Sequence, residues 1–310
     1  MRSRLLVVPL LVALAACAAA ARPSRPPREL PPGQSQAARP ASPAILPTID
    51  RIAVVVMENR EYGQVIGNSS APYTNRLANR YALATHFFAV SHPSLPNYLA
   101  LIGGSTFGIS SDCTTCHVPG WSLVDQLEAH GISWRAYMQG MPSPCYKGAF
   151  SGRYAKKHDP FMYFDRIRTN ASRCSNIVPY SRLTSDISKG KLPSFVWVTP
   201  DECNDGHDCG TRTADRFLHQ QLPPLLTALG KNGLLFLTWD EGATSAGCCT
   251  VAHGGHVVTI LAGPKAKVGV RSKTAFDSYS ILQTIEDLWS LTPMRHAGCA
   301  CTRSMTGLVR

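Results

Sequence analysis

Four short apolar runs in this chain end in side chains that can bind cations, move protons or attack phosphorus. Ile52 to Met57 runs into Glu58 and Asn59, and Phe87 to Val90 leads to His92-Pro93-Ser94-Leu95-Pro96-Asn97. Phe195 to Thr199 precedes Asp201 and Asn204-Asp205-Gly206-His207-Asp208, and Leu234 to Trp239 ends in Asp240-Glu241. Carboxylates and amides are hard oxygen donors, the set that holds Ca²⁺, Mg²⁺ or Mn²⁺, or zinc with fewer partners. A single acidic strand end is commonly just solvated. Several converging on one sheet edge would repel one another without a cation, and a hydroxyl beside them is then placed for metal-assisted phosphoryl transfer.

Ser94 opens a segment, Tyr98-Leu99-Ala100-Leu101, that reads as helix. A hydroxyl there meets unpaired backbone N–H groups and the positive end of the helix dipole, which suits a nucleophile attacking an anionic group; the alternative is a plain helix cap. Glu58, Asp240 and Glu241 are the candidate metal ligands, with Asn59 beside them. Asn59 and Asn97 can also donate to phosphoryl oxygens without trapping the anionic product. His207 can ligate a second metal or protonate a leaving oxygen, and Asp205, Asp208, His253 and His256 are further candidates for a second metal or for acid–base work. The glycines in His253-Gly254-Gly255-His256 give that pair freedom without fixing it.

The apolar runs, flanked by turn formers and separated by helical segments, read as strands of a largely parallel α/β sheet. Ligands of such sheets collect beyond the carboxyl ends of the strands. Strands are expected at 52–57, 85–90, 132–138, 194–199, 234–239 and 256–262, and helices near 72–82, 95–103, 121–130, 212–229 and 277–290. Pro223-Pro224 should break or restart the helix that contains them. Tyr279, Leu282, Ile285 and Trp289 form an apolar stripe that belongs to the core.

Residues 1–17 read as an export signal: Arg2 and Arg4, an apolar stretch too short to span a bilayer as a mature helix, then Leu14-Ala15-Ala16-Cys17. That ending resembles a bacterial lipoprotein signature with Cys17 lipidated; simple cleavage near Ala18 to Ala21 is the alternative. Residues 18–49, rich in Ala, Pro, Arg, Ser and Gln, read as a flexible tether, and 50–310 as one domain of roughly 260 residues. The sequon-like Asn68-Ser69-Ser70 and Asn170-Ala171-Ser172 matter only in a eukaryotic secretory pathway, which the leader argues against. The expected address is outside the cytoplasm, as a cell-envelope lipoprotein or a secreted protein. Ten cysteines besides Cys17 make disulfides the default there. Cys113 with Cys116, Cys145 with Cys174 and Cys203 with Cys209 form plausible local loops, while pairing among Cys248, Cys249, Cys299 and Cys301 stays open. Zinc at Cys113, Cys116 and His117 is the rival reading of the first pair.

The formal charge is +11, and +9 without the leader's two arginines. This surface favours anionic partners such as phosphorylated metabolites and acidic lipid headgroups. No dense basic run with interleaved aromatics is present, so nucleic acid is not an expected partner.

Val56-Met57-Glu58-Asn59-Arg60, His92-Pro93-Ser94-Leu95-Pro96-Asn97-Tyr98, Asn204-Asp205-Gly206-His207-Asp208 and Thr238-Trp239-Asp240-Glu241-Gly242 resemble, in order, the motifs of the bacterial phosphoesterase family. That family contains secreted acid phosphatases, including a mycobacterial phosphoinositide phosphatase, together with phospholipases C, and belongs to the alkaline phosphatase superfamily. The resemblance spans about 52–292. It implies an α/β/α sandwich and a divalent metal cation. It also implies Ser94 as a nucleophile that becomes phosphorylated, Asn97 as a phosphoryl-oxygen ligand, Glu58, Asn59, Asp240 and Glu241 as metal ligands, and His207 as catalytic with Asp205 or Asp208 beside it. His253 and His256 transfer least directly. The chain lacks the Cys-x-Pro-x-Arg motif of sulfatases. The expected activity is hydrolysis of phosphate monoesters, phosphoinositides among them. The rivals are a phosphodiesterase or phospholipase C acting on lipid headgroups, and a lipoprotein that binds phosphate or metal without turnover.

Overall fold

The structure, a computed structural model, describes residues 46–310. The leader, Cys17 and most of the expected tether lie outside the described residues. Just before the first strand, Ile49 is buried and Trp289 Nε1 donates to its carbonyl at 2.9 Å.

The strands are β1 (Arg51–Met57), β2 (Ala82–Phe88), β3 (Trp134–Met138), β4 (Phe150–Ser151), β5 (Tyr154–Ala155), β6 (Ile177–Pro179), β7 (Phe195–Thr199), β8 (Gly233–Trp239), β9 (His256–Ala262), β10 (Arg271–Ser272) and β11 (Phe276–Asp277). The helices are α1 (Pro72–Arg80), α2 (Ser94–Gly103), α3 (Leu123–Ala129), α4 (Asp165–Arg168), α5 (Ala171–Cys174), α6 (Ser181–Ser188), α7 (Thr211–Ala228) and α8 (Ser278–Leu288). One sheet runs β10-β2-β9-β8-β1-β7-β3-β6, with β11 beside β2; β4 and β5 form a separate hairpin. β9 pairs antiparallel with both β2 and β8, and the sheet's other pairings are parallel. The carboxyl ends of β1, β7 and β8 therefore share one edge with the start of β9. Helices α1, α6 and α7 pack together in one layer, and α2, α3 and α8 in another.

The central strands are buried because their composition leaves no polar face: β8, Gly-Leu-Leu-Phe-Leu-Thr-Trp, is buried at every position, as is β1 from Ile52 onward. Such runs suit strands covered on both sides. All ten residues of α2 are buried as well, so this helix sits within the core and not on its surface. The apolar stripe of α8 is core, as expected from its spacing, with Tyr279, Leu282 and Ile285 buried.

Pro223 and Pro224 do not break α7, contrary to expectation; both lie inside the continuous helix. Both prolines are exposed, and the carbonyls that lose their partners belong to the exposed His219 and Gln220, where water can take the vacated bonds. The zinc reading of Cys113, Cys116 and His117 also falls. The two cysteines are disulfide-bonded to each other, and His117 Nδ1 lies 2.7 Å from Asp165 Oδ2. Cys145–Cys174 and Cys203–Cys209 are paired as expected, and the remaining four pair as Cys248–Cys249 and Cys299–Cys301. Among the described residues no helix is long and apolar enough to cross a membrane.

One buried acid sits away from the sheet edge. Glu286 on α8 is fully buried; its Oε1 accepts from Met294 N at 3.0 Å and its Oε2 has no partner among the described residues. Burial pushes its carboxyl up from 4.5 to about 8. The folded state thus keeps a proton that the unfolded chain releases above pH 4.5, so this group costs stability progressively as pH rises toward 8. Glu286→Gln should leave the melting temperature near wild type at pH 5 and raise it at pH 8, by an amount on the order of a few kcal/mol in stability. A thermal-melt series across that range checks this, and an equal shift at both pH values would refute it.

Candidate active site

Sheet order explains how the acidic groups meet. β1 lies between β7 and β8, with Met57 in register with Trp239, so Glu58 and Asp240 emerge side by side. Asp240 N donates to Met57 O at 2.9 Å and Glu58 N to Asp205 O at 3.1 Å, which ties the three strand ends together. Asn59 follows at φ 44°, a region that asparagine tolerates better than most side chains. Its N–H donates to Asp240 Oδ1 at 3.1 Å. Its amide end lies 3.1–3.2 Å from Glu58 Oε2, Asp240 Oδ1 and Glu241 Oε1. Turned nitrogen-inward the amide's two N–H groups face these three oxygens; turned oxygen-inward it completes a four-oxygen nest for a cation.

Gly206 lets the β7 loop close on β1. Its φ is 105°, and an added Cβ would lie 3.4 Å from Ala214 Cβ and 3.5 Å from Glu58 O. The turn presents Asp205 inward, with Asp205 Oδ1 accepting from His207 N at 2.7 Å.

Ser94 is the first residue of α2, after Pro93, and its side chain caps nothing. Pro96 follows within the first turn, where a missing N–H costs no helical bond. The Ser94 hydroxyl faces inward instead, with Oγ 3.2 Å from both Glu58 Oε2 and Glu241 Oε1. One turn on, Tyr98 donates its hydroxyl to Glu58 Oε1. Asn97 uses its whole amide on the preceding loop. Its Oδ1 accepts from Val90 N and Ser91 N at 2.9 Å each, and its Nδ2 donates to Ser91 O at 2.7 Å and Pro93 O at 3.2 Å. In this arrangement it fixes the turn that presents Ser94 and has no donor left over for a phosphoryl oxygen.

Other groups join the cluster to which the sequence reading gave no role. His158, 2 % exposed, sits between two carboxylates, with Nε2 3.2 Å from Glu58 Oε2 and Nδ1 3.6 Å from Asp205 Oδ2. It comes from the long irregular segment, where no periodicity marks it; the only sequence cue is a polar Lys156-Lys157-His158-Asp159 run ahead of apolar Phe161 to Phe164. Lys157, next to it, has Nζ 3.5 Å from Asp112 Oδ2 and 3.5 Å from His207 Nε2. His92 Nδ1 pairs with Glu241 Oε2 and its Nε2 lies 3.0 Å from Thr244 O, so both ring nitrogens face oxygen acceptors. Tyr98 was legible in principle, since it stands one turn from Ser94 on the same helix face.

His207 lies at the rim, its ring centroid 6.1 Å from that of His158, with Nδ1 2.7 Å from Asp208 Oδ1. Asp208 is half-exposed and acts as this partner, not as a member of the cluster. The structure does not bring His253 or His256 to the carboxylates. His256 stacks on Tyr62 with centroids 4.4 Å apart and its Nε2 lies 2.9 Å from Thr85 O, while the His253 side chain is exposed. Nor do the glycines between them confer freedom: an added Cβ on Gly255 would lie 2.7 Å from Gly242 Cα, so the segment is packed close.

The electrostatics are those of anions crowded away from water. Burial, then the charges of Glu58 and Glu241, push Asp240 well above the usual carboxylate range. Burial and Glu58 push Asp205 up to about 10, and burial raises Glu241. Glu58 alone goes the other way: burial opposes its charge, but His158, Tyr98 and Lys157 together hold its pKa low. Burial also opposes the Lys157 charge, and the surrounding carboxylates of Glu58, Asp112, Glu202 and Asp240 more than offset it. Asp240 Oδ2 and Asp205 Oδ2 are buried without hydrogen-bond partners among the described residues. Glu58, His158 and Asp205 offer ligand atoms within 4.8 Å of one another. Orphaned donor atoms, excess negative charge and an oxygen-rich nest fit a divalent cation.

The Phosphoesterase family model matches residues 68–292. A phosphatidylinositol-3-phosphatase of Mycobacterium tuberculosis is 33% identical over 258 residues, covering 81% of each chain. A phosphate-repressible acid phosphatase of Penicillium chrysogenum is 30% identical over 262 residues, covering 81% of this chain and 61% of the relative. The chain thus spans about three fifths of that fungal enzyme's length. Among solved structures, an alkaline phosphatase superfamily protein of Vibrio parahaemolyticus superposes with a TM-score of 0.56 at 12% identity, over 82% of this chain and 71% of that one. Murine ectonucleotide pyrophosphatase / phosphodiesterase 5 gives 0.54 at 13% identity, over 84% and 100%. These distant likenesses concern the fold: an alkaline-phosphatase-type α/β/α architecture around a mostly parallel sheet. The chain belongs to the phosphoesterase family and is a hydrolase of phosphoric esters.

Proposed function

We propose that this protein is a metal-dependent phosphomonoesterase of the acid phosphatase type, acting through a phosphoserine at Ser94. The observation that carries this reading is the Ser94 hydroxyl, held 3.2 Å from two carboxylates of an oxygen-rich cluster at the start of a buried helix. Glu58, Asn59, Asp240 and Glu241 would hold the cation, with Asp205 and His158 available to a second. Such an ion lowers the pKa of a nearby hydroxyl and neutralises charge on phosphoryl oxygens.

The chain's own groups perform the rest. Ser94 gives its proton to a facing carboxylate as Oγ bonds phosphorus, and His207 protonates the departing alkoxide oxygen, with Asp208 steadying the imidazolium. The alcohol leaves. Water then attacks the phosphoserine, its proton passes to His207, and inorganic phosphate departs as the Ser94 hydroxyl is restored. Asn97 keeps the turn rigid throughout, and His92 holds Glu241 in place.

The basic surface favours anionic substrates, and the mycobacterial relative's name makes inositol lipids the natural class to try. Five disulfides among the described residues support an oxidising address outside the cytoplasm, where the Cys17 lipoprotein reading would add a membrane anchor. The purified protein should hydrolyse p-nitrophenyl phosphate at least about tenfold faster than its bis-ester at equal concentration. Preferential diester cleavage would instead make it a phosphodiesterase. Absence of turnover with any divalent metal across pH 4–9 would leave a binding protein.

A further inference from the structure

Two side chains with lasting positive charge approach the cluster, and they are used differently. Arg60 spends its guanidinium on backbone: Nη1 donates to Asn59 O at 2.8 Å and Nη2 donates to Gly206 O, so it ties the β1 and β7 loops together. Lys157 has no such commitment. Its two contacts, Asp112 Oδ2 and His207 Nε2, are each 3.5 Å away, longer than a well-formed hydrogen bond. An ammonium with three donors is therefore held at the site without a close partner among the described residues.

It stands at the edge of the cluster. Ser94 and Glu58 are essentially closed to solvent, whereas Lys157 is 15% exposed, Asp112 28% and His207 29%. These partly open side chains put Lys157 where solvent and the buried cluster meet on this side of Ser94. Asp112 shows what this place accepts. One carboxylate oxygen takes the Leu95 N–H at 2.9 Å, in the first turn of α2, while the other faces Lys157. An internal oxyanion thus already bridges the helix N-terminus and the ammonium, one residue from the nucleophile.

We infer that Lys157 binds a non-bridging oxygen of the incoming phosphoryl group and so sets the preference for dianionic monoesters over monoanionic diesters. This deepens the phosphomonoesterase reading and rests on it. A compact ammonium there attracts a dianion more strongly than a monoanion, and without it the carboxylate cluster would repel the dianion more. Asp112 acts as a positioning residue. It is itself held through the Cys113–Cys116 loop, whose Thr114 carbonyl accepts from Lys156 Nζ at 2.8 Å.

The test compares wild type, Lys157→Met and Lys157→Arg in the metal-loaded full chain. Lys157→Met should lower kcat/KM for p-nitrophenyl phosphate by about 30- to 100-fold, chiefly through KM. Inhibition by inorganic phosphate should weaken by a similar factor, bis-ester hydrolysis should fall by less than about 5-fold, and Lys157→Arg should recover most of the monoester activity. Melting temperatures of the three proteins separate misfolding from loss of binding. Equal losses on monoester and diester, or unchanged phosphate inhibition in a folded Lys157→Met protein, would overturn the inference. Should the wild type hydrolyse no monoester, the phosphomonoesterase reading fails by itself. Calorimetric binding of inorganic phosphate to wild type and Lys157→Met then still decides whether Lys157 holds the anion.

Discussion

Ser94→Ala should lose activity on phosphate monoesters by roughly 10⁴-fold or more while folding normally. The helix does not depend on the hydroxyl, because Ser94 makes no cap and alanine is well suited to a first helical turn. What disappears is the proposed nucleophilic oxygen and its two contacts to Glu58 and Glu241. Rapid acid quenching with ³²P-labelled substrate should trap label on wild-type Ser94 and none on the variant. Residual activity within about tenfold of wild type would remove Ser94 from the nucleophile's role, because general binding effects rarely leave so much once a covalent step is lost.

The second large effect concerns the cation. Chelation, or Asp240→Asn, should each reduce turnover by about 10³-fold or more, since a divalent charge beside the nucleophile does what the single charge of Lys157 cannot. Stability offers a readout independent of turnover, and its direction differs between the two treatments. In the metal-free protein Asp240 keeps a proton well above its ordinary range, so ionising it as pH rises costs folding energy. Asparagine removes that cost. Metal-free Asp240→Asn should therefore melt at or above metal-free wild type at pH 7–8. Adding a divalent ion at about 100 times its Kd should stabilise wild type by about 2.7 kcal/mol and the variant by much less. A variant that takes up metal as well as wild type would show that Asp240 is not a ligand.

Much of this arrangement is legible in the amino-acid sequence. The acidic groups at the ends of β1, β7 and β8 stand out because buried strands must be apolar along their length, so the first charged residue marks where each strand leaves the core. Glu58, Asp240 and Glu241 stand out that way, Asp205 through the dense run of ligand-capable side chains at 204–208, and Ser94 because a hydroxyl heads an apolar helix. His158 and Lys157 do not. They ride on a single short turn between the β4–β5 hairpin and an apolar stretch, where neither period 2 nor period 3.6 assigns a direction to a side chain. Asp112 was missed for the same reason. The error at Pro223-Pro224 was of another kind: proline removes donors, but on a solvent-facing stretch the orphaned carbonyls have water. His253 and His256 looked mobile between glycines, yet those glycines are present because Gly242 and Ser91 pass too close for a Cβ.

The reversed direction of β9 has an outcome for how such an enzyme changes over time. Because β8 leaves the sheet at the same rim where β9 enters, residues 240–255 form an excursion whose two ends are neighbours. That excursion supplies Asp240 and Glu241 at its start, and Thr244 against His92 a few residues later. Its far portion, around Cys248–Cys249, can lengthen, shorten or be exchanged without shifting the register of either strand. Selection can therefore redraw this part of the rim while the strand-end carboxylates stay anchored, so that the surroundings of the cluster change separately from the cluster itself.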